Sequence, residues 1–213
     1  MKILFVSSEC APFSKSGGLA DVAFSLPPAL QKTGDDIAIV TPMYRVTQEN
    51  YGDEFERIKT CQIVLGQRRL ACSLYRGALN GVTVYAIGNE HLFHRPRLYG
   101  YGDDSLRFAF FCRAVIDLLP EFGDLPDILH CNDWETALAI LYLKNDAVLR
   151  PELSHIKTVY TIHNIAYQGQ FGRSEMEATF ALPDGWYHGG LSYEFEGRQD
   201  INLMKGAMLM ADA

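Results

Sequence analysis

Four short stretches of this chain bring together residue types that do chemistry. The first is Lys15-Ser16-Gly17-Gly18-Leu19-Ala20-Asp21-Val22, which lies between an apolar run and an amphipathic one. Two glycines let a ligand approach the backbone closely, the free amides and dipole of a helix start attract an anion such as a diphosphate, and Lys15 adds a full positive charge. A plain strand-to-helix turn with a solvated Lys15 accounts for the same residues equally well. The spacing is neither the Gly-x-Gly-x-x-Gly fingerprint nor a P-loop.

The second stretch, His130-Cys131-Asn132-Asp133-Trp134, follows an apolar run and opens another amphipathic one. Its His, Asn and Asp suit sugar hydroxyls and its Trp suits a ring face, while Asp133 as an N-cap and Trp134 as a core residue is the simpler reading of those two. Cys131 and Asp133 lack the spaced second pair that a metal site needs. The third stretch, Thr161 to Phe171, holds His163, Asn164, Tyr167 and Gln168, several donors and acceptors beside a flat face, which fits a carbohydrate better than an apolar ligand. The fourth, Tyr99-Gly100-Tyr101-Gly102-Asp103-Asp104, reads as a loop with exposed tyrosines in which Asp103 and Asp104 cap the helix that follows.

These stretches need strands and helices to position them. Residues 2–7 read as a buried strand, and from Gly18 the apolar residues Leu19, Val22, Ala23, Leu26 and Leu30 recur at helical spacing up to a stop at Gly34. Pro27 and Pro28 predict a kink there or two short helices. Asp36 to Thr41 completes a βαβ unit with a parallel sheet. Residues 61–87 carry two β-rich runs, 69–77 and 82–87, on either side of Asn80-Gly81, a hairpin turn. A helix capped by Ser105 and running to about Leu119, a strand end at 127–130, a helix from Glu135 to Lys144 and a strand at 157–162 follow. The last apolar segment, Ile201 to Ala213, lacks a helix stop signal, so the chain reads as cut from a longer one. The alternation predicts an α/β, doubly wound, Rossmann-like sheet, mostly parallel, with a β-hairpin excursion.

Composition narrows the partners. The 213 residues are 48% hydrophobic and 21% charged, the balance of a globular protein with a large core, and 19 basic against 26 acidic residues leave a net charge of −7. Nucleic acid is an unsuitable partner for such a surface. No apolar stretch reaches the length of a membrane span, and the N-terminus has no signal-peptide pattern. Five cysteines at irregular spacing predict free thiols and a cytoplasmic protein.

Taken in order, the Lys-x-Gly-Gly-Leu-Ala-Asp-Val stretch after Ser-Ser-Glu, then His-x-Asn-Asp-Trp, then Thr-Ile-His-Asn-Ile-Ala-Tyr-Gln-Gly resemble the glycogen and starch synthase family of retaining glycosyltransferases over essentially the whole chain. Ser16 stands where many members have Thr. The resemblance implies the N-terminal half of a GT-B fold over residues 1–213, with the C-terminal nucleotide-binding domain outside this chain. It implies glucose transfer from ADP-glucose to the non-reducing end of an α-1,4-glucan, with no metal and no cofactor. A plant member would work in the plastid, although no transit peptide is visible here. Lys15, Gly17 and Gly18 would then lie beside the diphosphate and transferred glucose, with Asp21 in support. Lys15 and His163 would be the catalytic residues of this half. Tyr99, His163, Asn164, Tyr167 and Gln168 would line the sugar subsite, and His130, Asp133 and Trp134 would shape the cleft wall. Another GT-B glycosyltransferase, or a glucan-binding module, is the alternative. An isolated half with Trp134, Tyr167 and Phe171 uncovered is expected to be inactive and to self-associate.

Overall fold

The computed structural model describes residues 1–195 and 198–213. In chain order the elements are β1 (Lys2–Val6), α1 (Leu19–Lys32), β2 (Asp36–Pro42), α2 (Arg45–Tyr51), β3 (Glu56–Leu65), β4 (Arg68–Leu79), β5 (Val82–Gly88), α3 (Glu90–Phe93) and α4 (Asp104–Asp117). There follow β6 (Ile128–Asn132), α5 (Trp134–Asp146), β7 (Lys157–Thr161), β8 (Gln170–Gly172), α6 (Glu175–Ala178), α7 (Asp184–Trp186), β9 (Ser192–Phe195), β10 (Arg198–Asn202) and α8 (Leu203–Met210).

Seven strands form one sheet in the order β3-β4-β5-β2-β1-β6-β7, in which β5, β2, β1, β6 and β7 run parallel and β4 pairs antiparallel with both of its neighbours. Alternate side chains divide the core. Leu4, Val6 and Val40 pack with Phe108, Phe111 and Leu138 from α4 and α5 on one face. Ile3, Phe5, Ile37 and Ile39 pack with Ala23 of α1 on the other. This is the doubly wound arrangement predicted, and the near-continuous apolar runs of β1 and β2 already mark both faces as buried.

The hairpin lies where Asn80-Gly81 places it, with φ of 50° and 86° at the two turn residues, but it is preceded by a further strand, β3, whose half-exposed pattern hides it among polar residues. α1 is one continuous helix through Pro27 and Pro28, not two short ones. Its buried stripe, Leu19, Ala20, Ala23 and Pro27, packs chiefly on β2 and β5, and that burial outweighs the two missing backbone donors. α4 begins one residue before Ser105, which is buried inside the first turn, and Asp103 holds the N-cap position without capping. Asp103 pairs with Arg95 instead. The small sheet β8-β10-β9 has no counterpart among the predicted elements, and α8 runs from Leu203 to Met210. Beyond it the Asp212 carboxylate accepts from the Thr158 amide and hydroxyl and from Lys144, which fastens the chain end to β7 and α5.

One buried cation organises the long connection from β5 to α4. Arg107 is fully buried; its Nε donates to the Leu92 carbonyl at 2.7 Å, and its Nη1 donates to the Leu98 carbonyl at 2.9 Å and to Asp104 at 2.6 Å. The Asp104 carboxylate in turn accepts the Gly100 and Tyr101 amides. The connection that carries Tyr99 is therefore wrapped around a guanidinium. Arg107→Ala is expected to lower stability by about 3–5 kcal/mol, because it strands the Asp104 carboxylate and two carbonyls out of water. Urea unfolding measures this, and an unchanged midpoint would contradict it.

A candidate ligand cleft at the carboxyl ends of the strands

β2 lies on one side of β1 and β6 on the other, so the chain reverses its direction of winding between β1 and β6. The loops after β1, β5, β6 and β7 all emerge at the carboxyl ends of their strands around this reversal, which is where open α/β sheets place ligands. They enclose a cavity of about 830 Å³ lined by Glu9, Ser16, Gly17, Gly18, Leu19, Val22, Tyr99, Gly100, Asp104, Asp133, Trp134, Glu135, His163, Asn164 and Tyr167. The first turns of α1 and α5 both open onto it, and no side chain caps either helix. Two helix N-termini thus turn the positive ends of their dipoles towards the same space.

Three carboxylates hold the lining loops in place. Glu9 accepts the Ser16 amide at 2.6 Å, the Gly17 amide at 3.1 Å and the Ser16 hydroxyl at 2.6 Å. The turn amides expected to meet an anion are therefore already committed to Glu9, and the anion-attracting amides that remain belong to the first turn of α1. Gly18 has an ordinary φ of −74°. A Cβ on Gly17 or Gly18 would meet nothing within 4 Å, so these glycines leave the cavity surface open rather than relieve strain. Asp104, held by Arg107, fixes the Tyr99 loop. Asp133 fixes the loop after β7, its Oδ1 accepting the amides of His163 at 2.7 Å and Asn164 at 3.2 Å.

Asp133 stands at the N-cap of α5, as predicted, but its side chain reaches across to the neighbouring loop instead of capping. Its backbone has φ 58° and ψ 178°, a region nearly reserved for glycine and costing about 1–3 kcal/mol. The bonds to residues 163 and 164, with the Asp133 amide donating to the Thr161 carbonyl at 2.9 Å, hold it there. His163 is oriented further by Asn132. The Asn132 amide nitrogen donates to the Val6 carbonyl, so its oxygen faces His163 Nε2 at 2.9 Å and accepts from it, which leaves Nδ1 as the free ring nitrogen. The far end of the same loop is pinned at Gly169, whose φ is +64° and where a Cβ would lie 2.7 Å from Trp134 Cε3. Trp134 is half-buried, its ring edge-on to Phe108 at 5.2 Å and tilted to Phe171 at 5.6 Å. Core packing and cavity lining are both its role. Tyr99 also lines the cavity and donates to Ser8 at 2.9 Å, whereas Tyr101 lies outside it among Arg95, Arg97 and Arg107.

Four of the predicted site residues do not line the cavity. Lys15 forms an ion pair with Asp21 at 2.5 Å, with both side chains about half exposed. His130 lies within β6, short of the cavity, against the ring of Phe5 and 2.8 Å from the Thr161 hydroxyl; burial, then His163, pushes its pKa down to about 4, so it is a neutral packing residue. Position along β6 decides this: His130 pairs with Phe5 of β1 inside the sheet, two residues before the carboxyl end of the strand where the cavity loop begins. Gln168 accepts from the Asn202 side chain at 2.7 Å and donates to the Ile165 carbonyl, tying the loop to the cap of α8. Tyr167 and Ile165 remain exposed at 67% and 70%. Among the described residues, no three His, Cys, Asp or Glu side chains are grouped to hold a metal ion, and no helix is long and apolar enough to cross a membrane. All five cysteines are unbonded.

The sequence reading passed over Glu9, Asp104 as a cavity residue, and Glu135. Glu135 follows Trp134 in the first turn of α5 and is buried, 9% exposed. Burial, reinforced by Asp133, Glu9 and Asp104, pushes its pKa up to about 8, so it is a neutral carboxylic acid at neutral pH. A charged residue directly behind an aromatic one at a helix start is the signal that could have found it.

The fold and this cleft define a Rossmann-like α/β ligand domain with the architecture of one half of a GT-B glycosyltransferase. The sequence pattern of starch synthase catalytic domains matches residues 2–213, and the chain belongs to that family. It is 42% identical over its whole length to a glycogen synthase of Geobacillus thermodenitrificans, covering 43% of that protein, and 39% identical to one of Clostridium novyi, covering 44%. The catalytic domain of starch synthase IV from Arabidopsis thaliana bound to ADP and acarbose superposes with a TM-score of 0.85 at 28% identity, covering 99% of this chain and 43% of that one. The chain thus spans less than half the length of these relatives.

The raised Glu135 pKa has a stability consequence of definite sign. Below its ordinary pKa of 4.5 the carboxyl is protonated in both folded and unfolded chains and costs nothing. As pH rises from there to about 8 the unfolded carboxyl ionises while the folded one keeps its proton, so stability falls across that window and then levels. Glu135→Gln should abolish this loss: relative to wild type it gains up to about 4 kcal/mol between pH 5 and pH 8. Denaturant unfolding at the two pH values checks it, and a difference that does not grow with pH would refute the burial argument.

Proposed function

We propose that this chain is the N-terminal domain of a cytoplasmic glycogen or starch synthase. The whole protein would transfer glucose from ADP-glucose to the non-reducing end of an α-1,4-glucan with retention at the anomeric carbon. The single observation that carries this reading is the cavity itself, where two uncapped helix N-termini meet an aromatic and amide-rich wall: one feature suits a diphosphate and the other a hexose. The names of the relatives, and the ADP and acarbose in the Arabidopsis structure, support the same assignment.

In this reading the α1 N-terminus faces the diphosphate, and Lys15 exchanges Asp21 for a phosphate oxygen as the donor arrives. Preorganised positive groups then stabilise the departing diphosphate without a metal ion. His163, its ring set by Asn132 and its amide by Asp133, presents Nδ1 and its backbone to the glucosyl unit, with Asn164 and Tyr167 beside it. The second wall comes from a C-terminal nucleotide-binding domain of the same protein, which holds the base and excludes water when the cleft closes. Without that wall the 213-residue chain binds weakly, exposes Tyr167 and self-associates.

The test is incorporation of glucose into a glucan primer. Full-length protein should extend the primer from ADP-glucose in preference to UDP-glucose, and the 213-residue chain should not. Lys15→Ala in the full-length protein should lower turnover by roughly ten- to a thousand-fold with little change in thermal stability, and His163→Ala should lower kcat more than it weakens donor binding. Extension by the isolated chain at the full-length rate would overturn the division of labour, and transfer from neither donor would overturn the function.

A further inference from the structure

Four carboxyl groups line the cleft, and three are spoken for. Glu9 holds the Ser16-Gly17 turn, Asp104 holds the Tyr99 loop together with Arg107, and Asp133 holds residues 163 and 164. Glu135 holds nothing. Its carboxyl keeps a hydrogen bond only with its own backbone amide, and among the described residues no other group donates to it, although the side chain is about nine-tenths buried and opens into the cavity. A carboxyl this deeply buried is costly when its own backbone amide is its only bonding partner in the protein, and apolar replacement would remove that cost if packing were the only demand at the position.

We propose that Glu135 is a sugar-binding residue of this cleft, its carboxyl hydrogen-bonding a hydroxyl of the glucosyl unit seated there. The inference rests on the transferase reading above and adds to it a residue which the motifs do not contain. The charge state suits the role. Acidic neighbours surround the group: Glu9 from the loop after β1, Asp104 at the head of α4 and Asp133 beside it all oppose its ionisation. The other ionisable groups around it are Tyr44 before α2, Tyr99, Cys112 of α4, whose thiol donates to the Glu135 backbone carbonyl and is held protonated by burial, and Tyr160 of β7, and on the facing loop His163. The three tyrosines have their pKa values pushed up by burial and stay neutral with it. At neutral pH Glu135 therefore offers an O–H donor and a carbonyl acceptor on one planar group, the pair of functions a sugar hydroxyl answers. An ionised carboxylate there would lose the donor and add a fourth negative charge beside a diphosphate donor. Affinity should fall once the group gives up its proton.

The experiment uses the full-length protein with ADP-glucose, whose diphosphate stays fully ionised from pH 6 to 9 and adds no titration of its own. In wild type the donor KM should be flat to about pH 7.5 and rise roughly tenfold by pH 9 as a single group ionises near pH 8. Glu135→Leu should raise KM about ten- to a hundred-fold at pH 7 with a smaller fall in kcat, and Glu135→Gln should recover much of that loss while removing the alkaline rise. A purely structural role for Glu135 would shift stability and leave the pH profile of KM alone. Calorimetric titration with ADP-glucose reads the same comparison from binding. Wild-type binding without turnover counts against the transferase reading only. Leu and Gln variants that bind as wild type does, or an alkaline rise that persists in Glu135→Gln, overturn the assignment of Glu135.

Discussion

The cleft depends on one carboxylate. Asp133 accepts the amides of His163 and Asn164 while its own backbone sits at φ 58°, ψ 178°. Local strain and a cross-strand clamp are here the same feature: the unusual backbone turns the side chain away from the end of α5 and onto the loop after β7, and the bonds made there hold the backbone where it is. Without the clamp α5 would gain an ordinary cap and the loop would lose its anchor. His163 would then be directed by Asn132 alone.

The other loops are fastened in a related way. Glu9 and Asp104 each bind two successive backbone amides, and Arg107 secures Asp104 from below. Charged side chains are used here as scaffolding, buried beneath loops that must have no regular hydrogen bonding of their own if they are to line a cavity. The result is a wall rich in negative charge that must nonetheless receive an anionic donor. The uncapped starts of α1 and α5 offset that charge in part, and the neutral state of Glu135 avoids adding to it.

Much of the fold was legible in the sequence because the relevant patterns are local. The apolar runs of β1 and β2, the helical stripe of α1 and the Asn80-Gly81 turn each follow from neighbours within one element. The order of the three motifs sufficed to indicate the family. β3 escaped because charged residues and exposed apolar ones, Ile58 and Val64, blur the alternation of Cys61, Ile63 and Leu65, and the β8-β10-β9 sheet because its strands are short and half-exposed. Pro27 and Pro28 do not divide α1 because the cost of two missing donors is local, whereas the burial that offsets it comes from the sheet beneath.

What the sequence determined by itself is which strand ends carry chemistry: residues 15–22, 130–134 and 161–168 all fall at carboxyl ends of parallel strands, a placement that follows from the βα alternation alone. Which side chains at those ends face the cavity was decided only by tertiary structure. His130 and Asn132 are two residues apart on one strand, yet one packs on Phe5 and the other directs His163. Lys15 is paired with Asp21, and Gln168 with Asn202. Glu135, with no motif to mark it, is drawn into the cleft because α5 starts beside Asp133. Direction and pairing depend on atoms brought together from distant parts of the chain, and burial raises a carboxyl's pKa only once those parts have closed around it.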